Sequence, residues 1–100
     1  MNTQKFETFS EFYSFYLSQH KNPTCRSLHL TGFFSGSLTF AIVLVTANWV
    51  YLPATLLFAY GFAWVGHFFF EKNIPATFTY PFFSFRGDLT LVRDMLTGKL

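Results

Sequence analysis

The chain has 100 residues, a length that supports one domain with a small core. Residues with hydrophobic side chains make up 51% and aromatic ones 23%, whereas only 12% are charged, against about 25% in an ordinary soluble domain. A net charge of +2 with no basic stripe argues against a nucleic-acid partner, and the single Cys25 excludes an internal disulfide.

All Asp, Glu, Lys and Arg residues lie outside positions 27 to 70, and that uncharged run sets the fold class. A helix needs roughly 20 apolar residues to cross a bilayer, so the run accommodates two spans and a turn. It is too long for a signal peptide, and the sequence before it is too polar. The expected class is an all-α integral membrane protein in one domain, 1–100: a two-helix transmembrane hairpin between an N-terminal amphipathic helix and a C-terminal interfacial or re-entrant segment with a short helix.

Residues 3–20 place Phe6, Phe9, Tyr13, Tyr16, Leu17 and His20 at helical spacing, with Gln4, Glu7, Glu11, Ser14 and Ser18 mostly opposite. Such an aromatic, amphipathic helix suits a membrane surface. Asn22-Pro23 then reads as N-cap and first helical position of a span over 23–47. Asn48 to Leu52 form the turn, where Trp49 and Tyr51 fit an interface. Pro53 opens the second span, 53–71. Lys21 and Arg26 precede the hairpin and Lys72, Arg86, Arg93 and Lys99 follow it, while the turn has no cation. The positive-inside bias therefore predicts both termini in the cytoplasm. Segment 76–100 is interrupted by Pro81 and Gly87, and Asp88 is the expected N-cap of a short surface helix ending at Gly98.

His29 and His67 stand equally far in sequence from Asn48, on either side of it. At about 1.5 Å rise per residue, a hairpin returns both to one depth, with His20 at the same level. On the first span His29 shares a face with Gly32 and Gly36; on the second, His67 shares one with Ala59, Ala63 and Glu71. Small residues mark the faces through which helices in lipid pack, so depth and rotation agree in bringing the histidines together. Three imidazoles and a carboxylate fit a divalent transition metal such as iron, zinc, copper or nickel. Two histidines with one carboxylate form the open arrangement of non-haem Fe(II) oxygenases. Taken singly, each histidine also fits a hydrogen-bonded structural role, and Glu71-Lys72 a solvated helix end.

Tyr16-Leu-Ser-Gln-His20-Lys-Asn22-Pro23, His29-Leu-Thr-Gly32 and Gly66-His67-Phe-Phe-Phe-Glu71-Lys72-Asn73-Ile-Pro75-Ala76 together resemble the family of small membrane-embedded 2-hydroxy-fatty-acid dioxygenases. That family is best known for the α-oxidation step of phytosphingosine breakdown. The resemblance runs from about residue 13 to 98 and is most specific around His67. It implies an Fe(II)-dependent enzyme (cofactor Fe2+) that uses O₂ to shorten a 2-hydroxy long-chain fatty acid by one carbon, releasing CO₂. It implies His20, His29 and His67 as metal ligands and Glu71 as the acidic, catalytic position. Arg26, Lys72 and Asn73 are the expected substrate-binding residues, with Phe33, Phe68, Phe69 and segment 78–85 as walls for the tail. The competing readings are a zinc-dependent membrane hydrolase and a non-enzymatic membrane adaptor. Because a two-helix hairpin is thin cover for a metal, membrane lipid and a second copy of the chain are further expected partners.

Overall fold

A computed structural model of the chain describes residues 6–100, so the expected start of the first helix at residue 3 lies outside the described residues. Helix α1 spans Phe9–Ser18, α2 Pro23–Thr46 and α3 Leu52–Val65; α3 continues as a π-helical turn over Gly66–Glu71, and α4 spans Pro81–Leu96. Single 3₁₀ turns at Trp49–Tyr51 and Ala76–Phe78 complete the described secondary structure, which contains no strand.

Local chemistry accounts for the helix starts. The Thr8 hydroxyl accepts the Glu11 amide at 3.2 Å, and the Asn22 side chain accepts the Thr24 amide at 2.8 Å with Pro23 next in line. Each satisfies a backbone donor that the first helical turn leaves unpaired. Helix α2 stops at Ala47, which turns left-handed at φ 54°.

The hairpin of α2 and α3 closes through small residues. A Cβ added to Gly32 would lie 2.6 Å from the Ala59 carbonyl oxygen, and one on Gly36 would lie 2.8 Å from the Ala59 Cβ. The two backbones therefore approach as closely as glycine permits. Away from this seam, Leu38, Ile42, Val45, Leu56 and Leu57 are exposed, Val45 to 86%. Pro23–Thr46 and Trp49–Glu71 are both long and apolar enough to cross a membrane, and outward-facing aliphatic side chains are what such helices present to lipid.

Helices α1 and α4 pack together across the histidine end of the hairpin, and here two expectations are corrected. The aromatic stripe of α1 does not simply face lipid. Phe12 and Tyr16 are fully buried against Leu91 of α4 and Ala76, with Phe6, Phe9, Tyr80 and Phe83 around them. Phe12, with Phe6, Phe9, Phe15 and Phe83 packed around it, forms a second core where the sequence suggested a membrane-facing surface, because α4 supplies an apolar partner that periodicity in α1 alone does not reveal. Residue 81 rather than 88 begins the last helix. Pro81 occupies its first turn, where a missing N–H costs nothing. Asp88 is therefore mid-helix and caps nothing. Gly87 is required there: its Cβ would stand 2.9 Å from the Tyr16 ring. Two hydrogen bonds staple the pair, Tyr13 Oη donating to Asp94 at 2.7 Å and Tyr16 Oη to Asp88 at 2.5 Å.

The seam makes a paired prediction. Gly32→Ala forces backbone apart and lowers stability by about 1–3 kcal/mol, as over-packing does. Gly61→Ala, whose new Cβ would meet only Leu57 Cδ1 at 3.9 Å, leaves it nearly unchanged. Thermal melts of the two variants in the same detergent check the contrast.

Candidate metal centre

Each histidine reaches the centre from a different element. His20 leaves α1 just past its C-terminal turn, His29 lies two turns into α2, and His67 sits in the π-helical end of α3. Gly66 lets α3 and α2 meet there, since a Cβ on it would lie 2.9 Å from Cys25 Sγ and 3.0 Å from Cys25 Cα. All three rings are buried, 1%, 6% and 2% exposed, in a chain whose α1 and α4 provide the cover that the hairpin lacks. Their ligand-capable nitrogens lie within 4.8 Å of one another. The rings stand nearly perpendicular, with interplanar angles of 77°, 83° and 83°, like three faces meeting at a corner.

The other ring nitrogens settle the protonation pattern. His20 Nδ1 lies 2.6 Å from the Tyr16 carbonyl and His29 Nδ1 2.8 Å from the Cys25 carbonyl. Carbonyls only accept, so both Nδ1 atoms carry hydrogen. His67 Nδ1 lies 2.7 Å from Asn73 Oδ1, and the Asn73 amide nitrogen donates to the Gln19 carbonyl and to Gln19 Oε1, both at 3.1 Å. That fixes Asn73 Oδ1 as acceptor and His67 Nδ1 as donor. All three Nε2 atoms are thus left with bare lone pairs. His20 Nε2 and His29 Nε2 nevertheless stand only 3.1 Å apart. Two acceptors at hydrogen-bond distance repel unless a cation lies between them. Two nitrogens bound at about 2.0–2.1 Å to one ion, near a right angle, have this separation. Donation of the outer N–H to a carbonyl or amide is also the usual setting of a metal-bound imidazole. The donor set fits a divalent transition metal.

The sequence-expected residues divide accordingly. His20, His29 and His67 converge. Glu71 does not join them: its Oε2 accepts the Asn22 amide at 2.8 Å, tying the start of α2 to the end of α3. Asn73 is engaged with His67 and Gln19, where a substrate contact was expected. Arg26 Nε donates to the His20 carbonyl at 2.6 Å. Lys72 is exposed and left-handed at φ 60°. Phe68 and Phe69 are exposed, 49% and 70%, and stand outside the cavity of about 370 Å³ between α2, α3 and α4 that Phe33 and Phe85 line and that opens onto His29.

A family model described as Mpo1-like, 2-hydroxy-palmitic acid dioxygenase Mpo1-like, matches residues 6–100. The chain belongs to the Mpo1-like family. No curated protein and no solved structure matches it. The family description carries dioxygenase activity on a 2-hydroxy fatty acid, and the buried three-histidine group of this Mpo1-like chain can bind a metal.

Sequence reasoning missed two residues beside this centre. Tyr16 stacks on His20 with ring centroids 3.9 Å apart and donates to Asp88, which lines the same cavity as His29. The Tyr16-to-His20 spacing, one helical turn, was the available signal for the first. Nothing local signalled Asp88.

Burial, reinforced by the neighbouring His29 ring, holds the His20 imidazole down at about 2, so it stays neutral and ligand-ready. Burial pushes the Asp88 carboxyl up to about 7, opposed by the Tyr16 hydrogen bond. The two act on stability with opposite signs. Between about 2 and 6.5 the unfolded chain binds a proton that folded His20 refuses, so its contribution is lost as pH falls through that window. Between 3.8 and about 7 folded Asp88 holds a proton that the unfolded chain releases, so its contribution is lost as pH rises. Melting temperatures of metal-free protein from pH 7 down to 4 therefore fall more steeply in Asp88→Asn than in His20→Phe. Asn73→Leu, which frees the His67 ring to rotate or change tautomer, weakens metal affinity by about 10- to 100-fold in a chelator competition.

Proposed function

We propose that this Mpo1-like chain is an Fe(II)-dependent dioxygenase that shortens 2-hydroxy long-chain fatty acids by one carbon at a membrane boundary. The observation that carries the reading is the 3.1 Å approach of the His20 and His29 Nε2 atoms, whose outer nitrogens are both spent on carbonyls. Three protein ligands leave coordination positions open for substrate and O₂, as catalytic sites require. The family description supplies the substrate class.

Fe(II) held by His20, His29 and His67 supplies the redox chemistry that lets O₂ react with a closed-shell acid. The chain's own residues do the rest. The Tyr16 and Cys25 carbonyls and Asn73 fix the rings in the Nε2-bare tautomer and hold their orientation. Glu71 acts as a positioning residue, since it joins the start of α2 to the end of α3 at the level of the histidines. Arg26, whose Nε donates to the His20 carbonyl, offers its outer guanidinium nitrogens to the acid group. The apolar cavity beside His29 takes the tail and keeps water from the reacting end. One 2-hydroxy acid and one O₂ balance one shorter acid, CO₂ and water, so the reaction draws on no external reductant.

The two long apolar helices support a membrane-spanning reading. The hairpin crosses with its Trp49–Tyr51 turn at the far interface, where two of its residues are aromatic and amphipathic. Cations flank only the histidine end, so both termini face the cytoplasm and the histidines lie near that boundary, where the head of a fatty acid rests.

Anaerobic loading with Fe(II) and 2-hydroxypalmitic acid, followed by O₂, is expected to yield the acid one carbon shorter together with CO₂. His29→Ala and His67→Ala lose both the iron and the product. An iron-loaded sample that turns over no chain length overturns the reading. Stoichiometric zinc with hydrolysis would point to the hydrolase, and no bound metal to the adaptor.

A further inference from the structure

The cavity beside His29 is almost wholly apolar, yet α4 turns one carboxylate towards it. Phe85, Asp88, Leu89 and Val92 share one face of α4, and that face closes the cavity against Phe33 of α2. A carboxyl group in such a place is costly unless hydrogen-bonded. Tyr16 Oη satisfies one oxygen, Oδ1, at 2.5 Å. The second oxygen makes no hydrogen bond among the described residues, although it has a cavity to point into. The Tyr16 ring lies against His20 at 3.9 Å and against the Gly87 backbone, so the carboxylate is anchored at the histidine end of the cavity.

These contacts describe an acceptor held rigidly between an apolar channel and a metal-ligating cluster. A carboxylate there repels the acid group of a fatty acid and attracts a hydroxyl, its natural donor. In a 2-hydroxy acid the hydroxyl sits on the carbon next to the acid group. With the tail along Phe33 and Phe85 and the acid group towards the histidines, the hydroxyl is the donor that passes Asp88. We propose that Asp88 is the specificity-determining residue of this site, accepting a hydrogen bond from the substrate 2-hydroxyl while the tail fills the cavity. The inference rests on the dioxygenase reading and names what makes that site select 2-hydroxy acids over plain ones. A site built to bond a hydroxyl discriminates against the analogue that lacks it, because its buried acceptor is then left unpaired.

The test is binding without turnover. Fe(II)-loaded protein in lipid nanodiscs, kept anaerobic and buffered well above the Asp88 value of about 7 so that the carboxylate is charged, is titrated with 2-hydroxypalmitic acid and with palmitic acid, each displacing a fluorescent fatty acid. The wild type is expected to prefer the 2-hydroxy acid by about tenfold or more, as for one hydrogen bond to a charged group. Asp88→Asn brings the ratio towards unity with palmitic acid binding retained. Tyr16→Phe keeps the ring against His20 but releases the hydrogen bond that anchors Oδ1, so it retains a reduced preference. Loss of palmitic acid binding together with the preference in Asp88→Asn would assign the effect to packing and overturn the proposal. So would an unchanged ratio in Asp88→Asn, which would place selection at the metal alone. In either case the dioxygenase reading stands if the shortened acid still forms. Wild-type protein that binds neither acid overturns both.

Discussion

Three imidazole lone pairs in one dry corner are the constraint on which this protein depends. Each outer nitrogen is committed as a donor, to the Tyr16 carbonyl, the Cys25 carbonyl and Asn73 Oδ1. Flipping a tautomer to relieve the contact between His20 and His29 would turn a bare nitrogen against a carbonyl oxygen instead. The repulsion can be moved but not removed from within the chain. A cation between the two Nε2 atoms would remove it.

Holding that corner together explains features that look unrelated. Gly32 and Gly36 let α2 and α3 touch backbone to backbone, which fixes the spacing of His29 and His67. The π-helical turn at Gly66–Glu71 changes the pitch of α3 where His67 must face inwards. Such local winding defects recur where a helix is bent to the needs of a site. Arg26, Glu71 and Asn73 then lace the two loops at that end: Arg26 to the His20 carbonyl, Glu71 to the Asn22 amide, Asn73 to Gln19. Residues expected to meet substrate directly are largely occupied in holding the segments that carry the three histidines. Side chains locked by such hydrogen bonds are preorganised.

The packing of α1 on α4 gives the centre its second wall. Aromatic rings bury large area with few rotatable bonds, so Phe12, Tyr16 and Phe83 build a rigid lid from little chain. The same lid brings a carboxylate to the cavity wall: Asp88 lines the cavity and is stapled to Tyr16, whose ring packs where a side chain on Gly87 would stand.

The sequence by itself determined the hairpin, its two long apolar helices and the convergence of the histidines. These follow from one-dimensional quantities: an uncharged run of sufficient length, a turn midway between His29 and His67, and small residues one helical turn apart on the same face as each ring. It also carried the family likeness around His67. Only the tertiary structure decided what Glu71, Asn73 and Asp88 do. Helical spacing puts Glu71 near His67, but it does not record that the Asn22 amide, forty-nine residues earlier, takes up its carboxylate. An Asp after a glycine reads as a cap until Tyr16, seventy-two residues earlier, is seen packed over that glycine. Periodicity records which face of a helix is apolar, but it does not record which other helix covers that face. Long-range partners set the rest.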